Sequence, residues 1–415
     1  MVNQKQLNSH LNFLDSIRAL AAVLVVLHHG ILYYSGNMNT LLGIEKILIK
    51  FLIVGGHYAV NMFIVLSGFS LMLAVIKNNY VLKDGMKIFF KRRFIRIVPP
   101  YYLAMLISIL LIWLCIGDKT GSHWDSSIPV SSSGIFRHVF FIHDFFENSF
   151  NSINYSFWSV AVEFRIYLFF PFLIWIWRKT GPLSTLLVSF LIAFIGSILN
   201  IYIHHYYSTI DSLFTGISPY IVLFTLGMLA AEMSFSQNGK AIKMRLLYQG
   251  ASSYYKMLYL FIFLMIFVLV KLLTKESLTL GNEIFISSRI IDILTGCLFA
   301  YILFIYSTST EKNSHTYWMV KLLSWKPLVF IGTFSYSIYL IHAPLLQILF
   351  QYIITPLSLS MPISVYVLLL LGTPAVIVLS YLFFLLCERP FLMLRKKRNT
   401  LSTTDAISNP SIIAT

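Results

Sequence analysis

Cysteine is scarce in this chain: Cys115, Cys297 and Cys387 are the three present in 415 residues, and each falls inside an apolar run. Thiols placed singly in such runs predict neither a disulfide framework nor a metal site. Charge is low too, at 11% of residues, and acidic side chains number 16 against 31 basic ones. Nothing resembles a cleaved signal peptide, because the first apolar stretch runs too long and is interrupted by Asp15 and Arg18. What the chain has in excess is apolar surface. Hydrophobic residues make up 58% of it and the mean hydropathy is +0.78, far more than a soluble globule of this length needs. The expected fold is therefore an all-α polytopic membrane protein, with no soluble domain appended.

About ten spans can be read, near 12–34, 51–76, 97–116, 157–177, 183–203, 217–234, 257–273, 287–307, 328–350 and 362–387. The net charge of +15 would suit nucleic acid, but its distribution points to a membrane instead. Basic residues crowd alternate connections, as in Lys87, Lys91, Arg92, Arg93 and Arg96, or Arg395, Lys396, Lys397 and Arg398. The long connection at about 117–156 holds only Lys119 and Arg137. The inside-positive bias then places both termini in the cytoplasm and makes 117–156 an outer loop. Residues 1–11 form a cytoplasmic N-terminus and 12–391 the transmembrane domain. Residues 392–415 form a cytoplasmic tail whose polar stretch from Asn399 is expected to be disordered. The outer loop carries His123, Trp124, His138, His143, Asp144 and Glu147. That composition fits either a cover over an outward-facing cleft or plain surface structure.

The first span, NFLDSIRALAAVLVVLHHGILYY, carries Asp15, Arg18, His28 and His29. Titratable side chains in hydrocarbon cost several kcal/mol unless they face protein or water, so they mark candidate functional positions. Arg18 and His29 are eleven residues apart, about three turns, and share one helix face roughly 16 Å apart. Asp15 lies close to that face, whereas His28 is rotated away by about 100°.

Other polar residues recur where lipid is expected. Arg92, Arg93 and Arg96 sit at the inner mouth of the third span, where an inside-positive helix end and a phosphate site look alike. Pro99 and Pro100 follow and should fix the helix entry or break it. Glu163 lies roughly 9 Å inside the outer end of the fourth span, a depth comparable with His29. The two would form either a His–Glu acid–base pair or a structural link between helices. Arg165, two residues on, points elsewhere. In the ninth span His342 again falls in the outer half, near Tyr336 and Tyr339. Ser67–Gly68 in the second span reads as a close-packing point between helices.

Six segments appear in one order: LDSIRALAAVLVVLHH, FIVLSGFS, RRFIRIVPPYY, FWSVAVEFRIYLFFP, SYSIYLIHAP and ERPF. In this the chain resembles the membrane-bound acyltransferase-3 family, which includes O-acetyltransferases of bacterial surface polysaccharides. The resemblance runs from about Leu11 to Phe391, and Arg18 and His29 meet the family's Arg-x10-His spacing. Asn61 departs from it, standing where an acidic residue is expected.

The resemblance implies transfer of an acyl group, commonly acetyl, from cytoplasmic acyl-CoA to a hydroxyl of a surface glycan or lipid-linked sugar. It implies a multi-pass protein of the bacterial inner membrane. Acetyl-CoA would be a co-substrate, with no tightly bound cofactor, metal or nucleic acid. His29 is then the catalytic histidine, with Glu163 stabilising its imidazolium. Arg18, Arg92, Arg93 and Arg96 would take the donor, and Asp15, Trp158, Tyr339 and His342 would support the acceptor side. The rivals are a flippase for a lipid-linked glycan, which would consume no donor, and a polymerase, from which an arginine-rich outer loop is expected.

Overall fold

The computed structural model describes residues 11–33, 44–206, 218–236, 282–308 and 317–393. It is a helical bundle with no strand among the described residues. Seven of the described helices are long and apolar enough to cross a membrane, and two shorter apolar ones, Pro219–Phe235 and Ile291–Ser307, occupy two further expected spans. The expected span at 257–273 and the tail from Asn399 lie outside the described residues.

Helix α1 (Asn12–Leu32) runs through the middle of the bundle. Its small residues Ala19, Ala21 and Ala22 are fully buried, as are the larger Val25, Val26 and Phe13. Small side chains let neighbouring helices approach this face of α1 closely. Helix α2 (Ile44–Lys77) packs along it and crosses a later helix at very short range. A Cβ added to Gly68 would meet the Phe224 carbonyl oxygen at 2.0 Å, and one on Gly227 would meet that of Val65 at 2.0 Å. The expected close-packing point is there, and glycine permits it.

Helix α3 (Gly85–Leu111) begins well before the apolar run at 97. Arg92, Arg93 and Arg96 therefore sit within the helix rather than ahead of it. Pro99 and Pro100 are interior too, so the expected break does not occur. Each proline removes one backbone donor, and burial of Ile97, Val98, Pro100 and Tyr101 holds the segment helical. A long connection follows, containing helix α4 (Ser132–Val139), and then α5 (Trp158–Thr180). Helix α6 (Pro182–Tyr206) is peripheral: Leu183, Leu187, Leu191 and Phe194 recur at helical spacing and are exposed, as a lipid-facing stripe should be. Helices α7 (Ser218–Phe235) and α8 (Asn282–Thr308) return to the core against α2.

The ninth expected span is divided. Helix α9 (Lys326–Thr333) ends at Phe334, and α10 (Ser335–Leu349) starts afresh. The division lets Gly332 settle against α1, where an added Cβ would lie 1.9 Å from the Asp15 carbonyl oxygen. Within α10, Pro344 has no N–H for the carbonyl of Leu340, one turn earlier. Asn154 supplies the missing donor through its Nδ2 at 3.2 Å. The connection after α3 is thereby tied into the bundle: Trp124, Ile153 and Asn154 in it are fully buried. It is a cover inserted in part between helices, with Phe136 and Phe140 left exposed on its surface.

Candidate active site

The site has two parts, strung along α1. The first is a cavity of about 100 Å³ lined by Arg18, Arg93, Arg96, Glu163, Tyr336 and Tyr339 among others. Arg18 is held from α1 by its own neighbour and by α2. Its Nη1 donates to Asp15 Oδ1 at 2.6 Å and its Nη2 to Ser70 Oγ at 2.7 Å. The guanidinium of Arg93 lies 5.7 Å from the centre of the Tyr167 ring and 6.0 Å from that of Phe89. Glu163 Oε1 accepts from Ser67 Oγ at 2.6 Å and from the Tyr167 hydroxyl. Three cations against one carboxylate, with aromatic walls, give the cavity a positive lining of the kind that suits a multiply charged anion.

The three arginines grouped by sequence divide here. Arg92 and Arg93 are one residue apart, about 100° around α3, so they face different ways. Arg93 turns into the cavity, with Arg96 on the next turn lining it as well. Arg92 instead pairs with Asp84, just before the helix.

The second part is a cluster of imidazoles near the end of α1. His29 Nδ1 and His342 Nε2 are hydrogen-bonded at 3.0 Å. His342 Nδ1 donates to the Tyr339 carbonyl at 2.8 Å, with that of Ile338 at 3.1 Å. The Tyr155 ring lies 4.7 Å from His29 and the His28 ring 4.8 Å from it. His123 also packs on Tyr155, at 4.8 Å. His342 is fully buried and His29 only half-buried, so His29 is the more accessible of the two rings. No set of side chains among the described residues is arranged to hold a metal ion.

Tyr339 joins the two parts. Its ring lines the arginine cavity while its carbonyl orients His342. Its hydroxyl donates to the Ser156 carbonyl at 3.0 Å and so accepts from Ser159 Oγ, at 2.5 Å.

Two expectations need correction. Glu163 does not pair with His29, since its partners are Ser67 and Tyr167. The residue of that segment level with His29 is Tyr155, ahead of α5, because the inserted connection is already inside the bundle. Glu163 lies five helical residues beyond Trp158, roughly 8 Å further along. Trp158 is not part of the histidine cluster: its ring neighbours are Phe150 and Tyr220.

The sequence reading missed the roles of Tyr155 and His123, which reach the site only through that insertion. It also missed the answer to the Asn61 departure. Asn61 Nδ2 donates to Asp292 Oδ1 at 2.8 Å, and His57 Nε2 donates to the same oxygen at 2.7 Å. The carboxylate expected near position 61 comes from α8 instead.

From α5, Arg165 reaches into the cover and donates to both oxygens of Asp144 and to the Phe141 carbonyl, pointing away from Glu163 as its spacing requires. His138 and His143 stack at 3.8 Å, both fully buried. Burial pushes His138 down to about 4, although its contact with the Gly134 carbonyl works the other way.

Comparison with known proteins assigns the class. A family model described as an acyltransferase domain matches residues 11–385, most of the chain. The chain belongs to the acyltransferase-3 family. Its multiple apolar helices make it a multi-pass membrane member. It is similar to "O-acetyltransferase OatA" of Staphylococcus aureus strains NCTC 8325 / PS 47 and COL, at 25% identity over 389 residues in each case. The match covers 89% of this chain and 56% of each relative, so the chain spans about half the length of the curated proteins it resembles. No solved structure matches it. Helix α1 carries Arg18 of the cavity and His29 of the imidazole cluster, and so links the two parts of the site.

Proposed function

We propose that the protein transfers an acetyl group from acetyl-CoA to a hydroxyl of a cell-surface glycan or its lipid-linked precursor. The observation that carries this reading is the line from the arginine cavity, through Tyr339, to the hydrogen-bonded pair His29–His342. The lysine and arginine bias supports a cytoplasmic arginine end and an outward-facing histidine end, in a bacterial inner membrane. Arg18, Arg93 and Arg96 would then bind the phosphates of the donor, and its thin thioester arm would extend towards His29. The O-acetyltransferase relatives support an acetyl group and an oxygen acceptor.

An alcohol is a weak nucleophile at neutral pH. A neutral imidazole that removes its proton during attack contributes roughly 10²–10⁴-fold. In this reading the acceptor oxygen bonds to the thioester carbonyl carbon as His29 takes the hydroxyl proton. The C–S bond then breaks, and His29 returns the proton to the departing thiolate. Ester and free thiol are the products. The acceptor approaches past His123, whose partly exposed ring offers a stacking surface for a sugar.

The test is the mass of the surface glycan from cells with and without the intact gene, or with His29→Ala. Loss of one acetyl unit, about 42 Da by formula, supports the assignment. An unchanged glycan favours a flippase. Labelled donor supplied to purified protein without acceptor separates direct transfer from an acyl-histidine relay: label held on wild type and absent from His29→Ala selects the relay.

A further inference from the structure

We infer that His342 is a positioning residue that determines which nitrogen of His29 reacts, making Nε2 of His29 the atom that takes the proton. The catalytic consequence rests on the acyl-transfer reading; the proton arrangement does not. The argument begins with atoms that can act in only one way. A backbone carbonyl accepts hydrogen bonds and cannot donate them. His342 Nδ1 faces two carbonyls, of Tyr339 at 2.8 Å and Ile338 at 3.1 Å, so Nδ1 carries the hydrogen. In a neutral ring the other nitrogen, Nε2, is then a lone pair. That lone pair lies 3.0 Å from His29 Nδ1, which must carry the hydrogen between them. With Nδ1 of His29 protonated, the lone pair of its neutral ring is on Nε2. The chain of donors thus ends on the half-buried ring, as a base available to substrate.

The arrangement also suits the step that follows. When Nε2 takes a proton, Nδ1–H already points at an acceptor, and the hydrogen bond to His342 strengthens as the ring becomes charged. A carboxylate does this work in the Ser–His–Asp arrangement. Here the acceptor is a second, fully buried imidazole on α10, oriented by the carbonyls of the turn before it. His342 touches no reacting atom in this scheme. It acts through His29.

The experiment uses the full-length chain in lipid nanodiscs, labelled with ¹³C and ¹⁵N histidine, with His29 assigned by comparison with His29→Gln. Ring ¹⁵N and ¹³Cδ2 shifts distinguish the two tautomers. Wild type should show His29 with hydrogen on Nδ1. His342→Leu should move it to the Nε2–H form. It should also lower kcat for acyl transfer roughly 10²-fold while leaving the KM for donor unchanged. His342→Gln retains an acceptor oxygen, and should restore the Nδ1–H form and recover most of the lost rate. An Nε2–H signal for His29 in the wild type overturns the inference, whatever the variants do. So does a His342→Leu protein whose tautomer and kcat both match the wild type. If the wild type shows the Nδ1–H form and transfers no acyl group to any glycan acceptor, the function falls and the role of His342 stands.

Discussion

Asn154 donates from its Nδ2 to the carbonyl of Leu340, in place of the backbone N–H that Pro344 cannot provide. One side chain therefore both repairs α10 next to His342 and holds the inserted connection that brings Tyr155 against His29. Asn154→Ala leaves the carbonyl unpaired in a buried site, at a cost of about 1–3 kcal/mol. In Pro344→Ala the helix regains its own donor, so Asn154→Ala should cost less in that background. Thermal unfolding of the four proteins in a double-mutant cycle measures the coupling, expected at about 0.5–3 kcal/mol. Strict additivity would show that the two positions do not share the carbonyl.

How much of this was visible beforehand depends on whether the relevant signal is local. The Arg18–Asp15 pair and the shared face of Arg18 and His29 follow from spacing on one helix, as does the divergence of Glu163 from Arg165. Depth along the ninth span put His342 in the outer half with His29, but their contact, 313 residues apart in sequence, was not legible, and Tyr155 reaches the site through a folded insertion without periodicity. Depth counted from span ends misplaced Glu163 for the same reason: α5 starts inside the bundle, below the residues that precede it. Pro99 and Pro100 carry a breaking signal that tertiary burial overrides.

Arg92 provides a control for the cavity. Its guanidinium pairs with Asp84 and does not line the cavity, whereas those of Arg93 and Arg96 do. Replacing Arg93 or Arg96 with Ala should weaken acyl-CoA binding by about 1.5–3 kcal/mol, the range for a hydrogen bond to a charged group, or roughly tenfold or more. Arg92→Ala should leave donor affinity within about twofold, since a partly exposed ion pair is worth little. Equilibrium binding of labelled acyl-CoA to purified protein decides between them. A loss with Arg92→Ala as large as that with Arg93→Ala would mean the nucleotide lies on the other face of α3.

Asn61 and Asp292 form a pair whose members should be exchangeable. Asn61→Asp would set a second carboxylate 2.8 Å from the Asp292 oxygen that now accepts the amide hydrogen. Two carboxylates at that range cannot both stay ionised without penalty, and the site is fully buried at position 61. The single substitution should therefore lower the melting temperature, and Asp292→Asn in the same chain should recover part of the loss. Should Asn61→Asp unfold at the wild-type temperature, the carboxylate of Asp292 does not need its amide partner.

Acid should weaken the cover through His138 and His143. Burial lowers the His138 pKa from 6.5 to about 4, and lowers that of His143 well below 6.5, with the stacked His138 ring and then Arg165 adding to the effect. As pH falls below 6.5 the unfolded chain takes up these protons first, while the folded rings stay neutral. The stabilisation is thus fully present above pH 6.5 and is lost progressively towards pH 4. For His138 it amounts to about 3 kcal/mol at most. The melting temperature of the purified protein should fall across that interval. His138→Gln keeps a donor for the Gly134 carbonyl, at 2.8 Å in the native protein, but has nothing to titrate. Its melting curve should be less sensitive to acid than that of the wild type. An identical pH slope in the two proteins would assign the acid sensitivity to groups elsewhere.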